Sequence, residues 1–326
     1  MMEFLRKLLA LFTLVAVVGS GSLAQAADNS GQATKKEAAK DLVLKGDAKC
    51  TECHDEADAP EKLAIGKTRH GTVADGRTPS CTSCHGESDA HVKNPQGGKT
   101  RPPVEVAYKG KFTSSPQAQT AACLTCHQGG NRIFWQSSTH AGRDVTCTSC
   151  HEIHTAHDAV RDKAKQTETC FTCHKEQRAQ MAKPSHHPVP EGKMACSSCH
   201  NVHGSNPKQL ARASTNETCY TCHMEKRGPF VHNHQPVSED CGICHNPHGS
   251  TIANLLKARA PFLCQDCHAS GGHPQQIAGL PDKRGTASTP GTVVMGSVGR
   301  GCVNCHTNIH GSNSTVNSAT AERFRR

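Results

Sequence analysis

The chain has 326 residues, a formal net charge of +9, 20 cysteines and 23 histidines, but one tryptophan and two tyrosines. Leu, Ile, Val and Phe number 49 in all, and only 38 of them follow residue 26. Their share of the chain is below the roughly 20% that a core built from the chain's own side chains requires. These numbers exclude an ordinary globular fold. Disorder remains, as does a fold whose apolar core is not made of amino acids, and twenty cysteines favour the latter.

The first 26 residues have the pattern of an export signal. Arg6 and Lys7 are basic, Leu8 to Val18 form an apolar run, and Ala24-Gln25-Ala26 resembles a cleavage site. A membrane anchor is the alternative, but a run of eleven residues is too short for a hydrocarbon core of about 30 Å. We therefore expect a cleaved signal peptide over 1–26 and an exported mature chain.

All twenty cysteines belong to C-x-x-C-H strings, the attachment signature of c-type haem. Zinc sites and disulfides also use paired cysteines, but neither requires a histidine after every second one. We therefore expect ten covalently attached haems. The thioether cysteines would be Cys50, Cys53, Cys81, Cys84, Cys123, Cys126, Cys147, Cys150, Cys170, Cys173, Cys196, Cys199, Cys219, Cys222, Cys241, Cys244, Cys264, Cys267, Cys302 and Cys305. The proximal iron ligands would be His54, His85, His127, His151, His174, His200, His223, His245, His268 and His306.

Thirteen histidines lie outside the motifs, and each low-spin haem needs a sixth ligand, His or Met. After the signal only Met181, Met194, Met224 and Met295 remain, so we expect histidine almost everywhere. Motifs 2, 4, 6 and 8 are flanked by histidines on both sides, whereas motifs 1, 3, 5 and 7 lack such a flanking pair. The expected unit is odd motif, His, even motif, His, repeated five times.

Three histidines follow their motif histidine by three residues, namely His154, His203 and His248. They cannot reach the far face of the same ring, because the porphyrin plane lies between. We expect each to bind a different haem and so to hold neighbouring haems close together. Exposed histidines without a role are the alternative.

The predicted fold is a haem-scaffolded multihaem cytochrome c, an elongated array of five two-haem repeats with short α-helices, long loops and almost no β-structure. Helices are predicted to begin near Thr169 and Thr218, running through the motif into Lys175–Met181 and Met224–Arg227, and another over Asn254–Ala260. The segments 92–116 and 279–300 are predicted loops. The expected divisions are an N-terminal segment 27–49, a cytochrome domain 50–312 (repeats about 50–110, 123–160, 170–210, 219–256 and 264–312) and a tail 313–326.

The positive charge does not indicate a nucleic-acid partner, since export and the lack of a basic stripe oppose it. Ten haems would bring twenty propionates, taking the mature charge from +8 to about −12, or about −2 with ferric iron. Basic residues would then offset propionates.

The motif order resembles the periplasmic decahaem cytochromes of outer-membrane electron conduits, of the Mtr, Mto and Pio type, also called DmsE-like. The strings that carry the resemblance begin at Cys219 (CYTCHMEKRGP), Cys241 (CGICHNPHGS) and Leu256 (LKARAP), and the similarity spans Cys50 to Ser312. It implies a haem wire with two histidines on every iron, inside an outer-membrane β-barrel porin. The distal ligands it implies are His70, His91, His140, His154, His187, His203, His234, His248, His273 and His310, leaving His157, His186 and His232 spare.

The expected function is electron transfer in the periplasm, associated with the outer membrane, between periplasmic or inner-membrane cytochromes and extracellular iron, Fe(II) or Fe(III). An outer-surface multihaem cytochrome is a further expected partner. The alternative is a multihaem reductase of nitrite, sulfite or hydroxylamine, which needs an iron with an open position. Every motif here ends in His, and the distal candidates outnumber the haems, so we expect a protein that is not an enzyme.

Overall fold

A computed structural model describes residues 40–72, 76–94, 101–268, 302–304, 306–315 and 324. The chain divides into two compact units, Met1–Ala38 and Ala39–Arg326. The first unit, which includes the predicted signal peptide, lies outside the described residues, as do His273, Cys305 and the predicted loop 279–300. The description below concerns the second unit.

Ten short α-helices occur in the described part of the second unit, and the longest has nine residues. They are α1 (Ala48–Thr51), α2 (Pro60–Leu63), α3 (Cys81–His85), α4 (Asp89–Val92), α5 (Pro116–Leu124), α6 (Gln166–Cys170), α7 (Lys175–Met181), α8 (Thr215–Cys219), α9 (Gln235–Glu239) and α10 (Phe262–Gln265). Single 3-10 turns lie at Ala64–Lys67, Arg69–Gly71, Gly130–Arg132, Trp135–Ser137, Ala141–Arg143, Cys147–Ser149, Ala159–Arg161, Cys196–Ser198, Pro207–Gln209, Met224–Lys226, Cys241–Ile243, Ala253–Leu255 and Cys302–Asn304.

The motifs form helical turns in the residues that the structure describes, as their spacing predicts. In nine motifs the histidine N–H donates to the carbonyl of the first cysteine at 2.9–3.0 Å, and motif 2 is itself helix α3. The helices before motifs 5 and 7 begin three residues earlier than predicted, at Gln166 and Thr215, and end at the first cysteine. The prediction that they run through the motif is wrong, because the backbone of His174 and His223 leaves the helical region.

The predicted helix over Asn254–Ala260 is also wrong. Asn254 and Leu255 have φ near +60°, a conformation that ends any helix of L-residues. Their carbonyls are used elsewhere: that of Asn254 accepts from Nδ1 of His245, and that of Leu255 accepts from the N–H of Asn246. The segment therefore folds back onto the eighth motif.

Antiparallel pairing is limited, within the described ranges, to four isolated bridges, Ser185 to Ser250, His200 to Leu210, His232 to Ser312 and His245 to Leu256. The buried apolar side chains found there are few, namely Val43, Ala59, Trp135, Met181, Val189, Ala195 and Leu210. No helix in these ranges is long and apolar enough to cross a membrane. The fold class is as predicted: short helices joined by loops, with a core too small to repay the entropy of ordering the chain.

Candidate haem-binding site

Consecutive motifs lie side by side through their cysteines. Within each predicted unit the first cysteine of the odd motif lies next to the first cysteine of the even motif: Cys50 with Cys81, Cys123 with Cys147, Cys170 with Cys196, Cys219 with Cys241 and Cys264 with Cys302. Between units the second cysteines are close enough for their charges to interact: Cys84 with Cys126, Cys150 with Cys173, Cys199 with Cys222 and Cys244 with Cys267. The motifs therefore follow one another in space in their chain order.

Each of nine motif histidines faces one histidine from outside the motifs, with ring centroids 5.8–6.4 Å apart. The pairs, motif histidine first, are His54 and His91, His85 and His154, His127 and His70, His151 and His203, His174 and His140, His200 and His248, His223 and His187, His245 and His310, and His268 and His234. All nine partners are predicted distal ligands. The tenth predicted distal ligand, His273, lies outside the described residues.

The spacing of these rings fits an iron atom with one imidazole on each side. Metal–imidazole bonds of about 2 Å place two opposed ring centroids about 6 Å apart. The described cysteines beside the pairs are not joined in disulfides, so they are available for thioether attachment. The donor set therefore fits haem c.

Hydrogen bonds fix which ring nitrogen faces the gap between paired histidines. In His85, His140, His154, His187 and His245, as in others, Nδ1 lies 2.7–3.1 Å from a backbone carbonyl oxygen. A carbonyl only accepts, so Nδ1 carries the proton, and Nε2 keeps the lone pair that binds a metal.

Burial favours the neutral form of several of the paired imidazoles. Desolvation lowers the pKa of His70, His85, His203 and His248 below the ordinary value of a histidine. A neutral imidazole is the form that ligates a metal, because a protonated nitrogen has no lone pair to give.

The pairing follows one rule through the interior of the array. An even motif takes its partner from the unit that follows, as His151 takes His203 and His200 takes His248. An odd motif takes its partner from the preceding unit, as His223 takes His187. Neighbouring units therefore exchange histidines in both directions.

Backbone contacts support this exchange where units meet. The bridge from Ser185 to Ser250 lies two residues from His187 and His248, and the bridge from His232 to Ser312 lies two residues from His234 and His310. Gly249 and Gly311 have φ of +153° and +141°. A Cβ there would collide with the carbonyl of Gln180 and with the ring of Phe230, so glycine allows the close approach of the two units.

A polar side chain holds the even motif against the odd one in four of the units, and in three of them, Asp47, Gln119 and Asn216, it is buried. Oδ1 of Asp47 accepts from the N–H of Cys81, and Oδ1 of Asn216 accepts from the N–H of Cys241. Oε1 of Gln166 accepts from the N–H of Ser197, and Oε1 of Gln119 accepts from the Thr148 hydroxyl. Asp47 is fully buried and also accepts from the N–H groups of Val43 and Leu44.

The three histidines predicted to be spare have other partners. Nδ1 of His186 donates to the Lys183 carbonyl and its Nε2 faces Glu191 at 2.9 Å. Nε2 of His157 lies 3.3 Å from Asp162. Nε2 of His232 donates to the Ser314 carbonyl.

Sequence similarity settles the family to which these motifs belong. The chain is 40% identical over 284 residues to the multihaem cytochrome MtrA of Shewanella baltica (strain OS185), covering 86% of this chain and 82% of that protein. The chain belongs to the MtrA-like multihaem cytochromes. Family profiles for a doubled CXXCH motif match residues 186–228 and 234–273, and a profile for a NrfB-like cytochrome c-type protein matches residues 81–165. The expected family and covalent haem c are confirmed.

Sequence analysis missed the side chains that orient this cytochrome's histidines and motifs. Asp47, Gln119, Gln166 and Asn216 each precede an odd motif by three or four residues, a recurrence that could have indicated a role. Asp158 carried no comparable signal, because its contact with Nδ1 of His151 at 2.7 Å depends on the course of the loop between them.

Proposed function

We propose that the protein is a periplasmic decahaem electron-transfer protein that carries electrons across the outer membrane inside a β-barrel porin. It would link periplasmic or inner-membrane cytochromes to extracellular Fe(II) or Fe(III), directly or through an outer-surface multihaem cytochrome. The observation that carries the proposal is that nine motif histidines each face another histidine, at a ring separation that suits one iron atom between the two imidazoles. Homology to a multihaem cytochrome supports it.

The residues proposed as ligands have defined tasks. When bound, haem supplies a one-electron iron couple whose potential depends on its ligands and surroundings. The cysteines of each motif would hold the ring, and the motif histidine and its paired histidine would supply the two iron ligands. Backbone carbonyls that accept from Nδ1 would leave the lone pair of Nε2 free to bind the metal.

Contact between consecutive motifs supports conduction along the array. First cysteines lie next to each other within units and second cysteines lie near each other between units, so haems attached there would be neighbours from the first motif to the tenth. Electrons would then pass in chain order. The partners at the two ends determine the direction of net flow.

The reductase alternative needs an iron with an open face. The nine pairs give each of those motifs a second imidazole, which favours electron transfer over substrate binding.

Ligand spectroscopy of the holoprotein tests the electron-transfer proposal. We expect ten haems per chain by mass, low-spin ferric iron throughout, and a reduced Soret band that carbon monoxide leaves in place. High-spin iron in the purified protein, or a shift on adding nitrite, would favour the reductase.

Co-expression with a candidate barrel tests the porin proposal. We expect the cytochrome to co-purify with the barrel from detergent-solubilised outer membranes and to resist protease there. Full release with the periplasmic fraction, with protease access unchanged by the barrel, would indicate a diffusing electron shuttle instead.

A further inference from the structure

One paired histidine differs from the others in the acceptor that its Nδ1 contacts. Nδ1 of His151 donates to Oδ2 of Asp158 at 2.7 Å. In seven other paired histidines Nδ1 contacts a backbone carbonyl instead: His85, His91, His140, His154, His187, His200 and His245. Glu225 lies 3.8 Å from Nδ1 of His223, beyond hydrogen-bond distance. Within the described ranges, His151 is thus the one paired histidine with a carboxylate hydrogen bond.

The carboxylate of Asp158 is held in this position. Its Oδ1 accepts from the N–H of Glu152 at 3.3 Å, while its carbonyl accepts from the N–H of Arg161. The side chains of His151 and Asp158 are 30% and 16% exposed, so solvent screens their interaction less than at an open surface. The loop after the fourth motif therefore returns a fixed negative charge to the motif histidine.

A carboxylate acceptor changes the histidine more than a carbonyl does. The negative charge attracts the Nδ1 proton and so raises the basicity of Nε2, the atom that faces the partner ring of His203. A more basic ligand stabilises Fe(III) relative to Fe(II), and the nearby negative charge acts in the same direction. Reduction adds one electron, received from a neighbouring haem of the array, and the proton stays on Nδ1.

We propose that Asp158 is a positioning residue that lowers the reduction potential of the haem attached at Cys147 and Cys150. The haem of the fourth motif would then be harder to reduce than it is with a neutral acceptor at position 158, and it would form an energetic step inside the array. This inference rests on the axial role proposed above for His151.

Asp158→Asn in the full-length holoprotein tests the inference. The amide oxygen still accepts from Nδ1, so the ring keeps its place while the charge is lost. In a spectroscopic redox titration we expect a one-electron component, one of ten, to become at least tenfold easier to reduce, a shift of about 59 mV for one electron. Asp158→Glu restores the charge and should restore the wild-type titration.

Two variants match this change at histidines that have no predicted iron. Asp162→Asn removes the carboxylate beside His157, and Glu191→Gln removes the one beside His186. Neither should move any component of the titration. An equal shift in Asp162→Asn would mean that net charge alone acts, and it would overturn the inference.

The outcomes separate this inference from the proposed function. An unchanged titration in Asp158→Asn, with all iron low-spin, would overturn the role of Asp158 and leave the ligation by His151 intact. High-spin iron appearing in Asp158→Asn would show that Asp158 maintains ligation instead of tuning it. High-spin iron in the wild-type protein, or a fourth-motif peptide without haem by mass spectrometry, would overturn the ligation itself.

Discussion

The interior of the array and its N-terminal end complete their histidine pairs in different ways. Inside the array, partners come from a neighbouring unit, as for His151 with His203. In the first unit, His54 faces His91, which follows the second motif of that same unit. Residues 1–49 contain no C-x-x-C-H string, and the odd motif of the first unit pairs within its own unit. Histidine pairs therefore link an interior unit to the units on both sides, whereas they link the first unit only to the second.

The C-terminal end of the array should complete its last histidine pair in the same way as the N-terminal end. His306 belongs to the tenth motif, and residues 307–326 contain no further C-x-x-C-H string. Its expected partner is then His273, from its own unit, which lies outside the described residues. The two ends would thus close in the same way, each within one unit.

Removing the haems should abolish the difference between end and interior, and this is the largest expected effect. With so few buried apolar side chains, the chain cannot repay a backbone entropy of roughly 1–2 kcal/mol per residue. We expect the chain produced without haem attachment to be unfolded. Circular dichroism checks this, and a cooperative thermal transition in the haem-free chain would contradict it.

Replacing one partner in each region compares the regions directly. His203→Ala should give one high-spin haem and a large fall in melting temperature, because it also breaks a link between the second and third units. His91→Ala should give one high-spin haem with a smaller fall, because that pair closes within one unit. Electron paramagnetic resonance and thermal melts measure both variants. Equal falls in melting temperature would mean that the exchange of histidines does not hold units together.

Charge at the junction of two motifs also distinguishes the end from the interior. The first unit uses the carboxylate of Asp47, whereas the fourth uses the amide of Asn216. Asp47→Ala and Asn216→Ala should each cost about 1–3 kcal/mol, because a buried N–H loses its acceptor. Melts of the holoprotein variants check these values.

Acid should destabilise the first unit through Asp47 and leave the corresponding position of the fourth unit unaffected, because the amide of Asn216 does not titrate. Although burial opposes it, hydrogen bonds from the Leu44, Cys81 and Val43 backbone leave the pKa of Asp47 below its ordinary value. A depressed pKa gives stability that is present above about pH 4 and is lost as the pH falls through the folded-state value. Asp47→Asn should lose this acid dependence, as seen in melts from pH 6 to pH 3. An identical acid profile in wild type and variant would exclude Asp47 as its source.

The smallest effect is expected for His186, and the adjacent His187 gives a matched variant for comparison. His187→Ala should produce high-spin iron, since His187 faces His223. His186→Ala should leave the spectrum unchanged, because it removes only the contacts of His186 with Glu191 and with the Lys183 carbonyl. That contact raises the pKa of His186, so its small stabilisation is present below about pH 6.5 and is lost as the pH rises through the folded-state value. High-spin iron in the His186 variant alone would reverse the assignment.

The sequence by itself determined the chemistry of the sites. Attachment depends on four consecutive peptide units, and the turn that joins His174 to Cys170 closes through a local hydrogen bond. Counting the remaining histidines and methionines was enough to predict histidine as the second ligand. Local patterns were less reliable for Asn254–Ala260, because carbonyls there bond to the preceding motif instead of forming a helix.

Only the tertiary structure decided which histidine meets which motif. His140 contacts the carbonyl of Val202, 62 residues away in the sequence, and His187 contacts the carbonyl of Pro247, 60 residues away. No local pattern encodes contacts at that separation. The acceptor of each Nδ1 is equally a product of the fold. Whether His151 meets a carbonyl or the charge of Asp158 depends on how a loop closes, and that closure comes from packing between units.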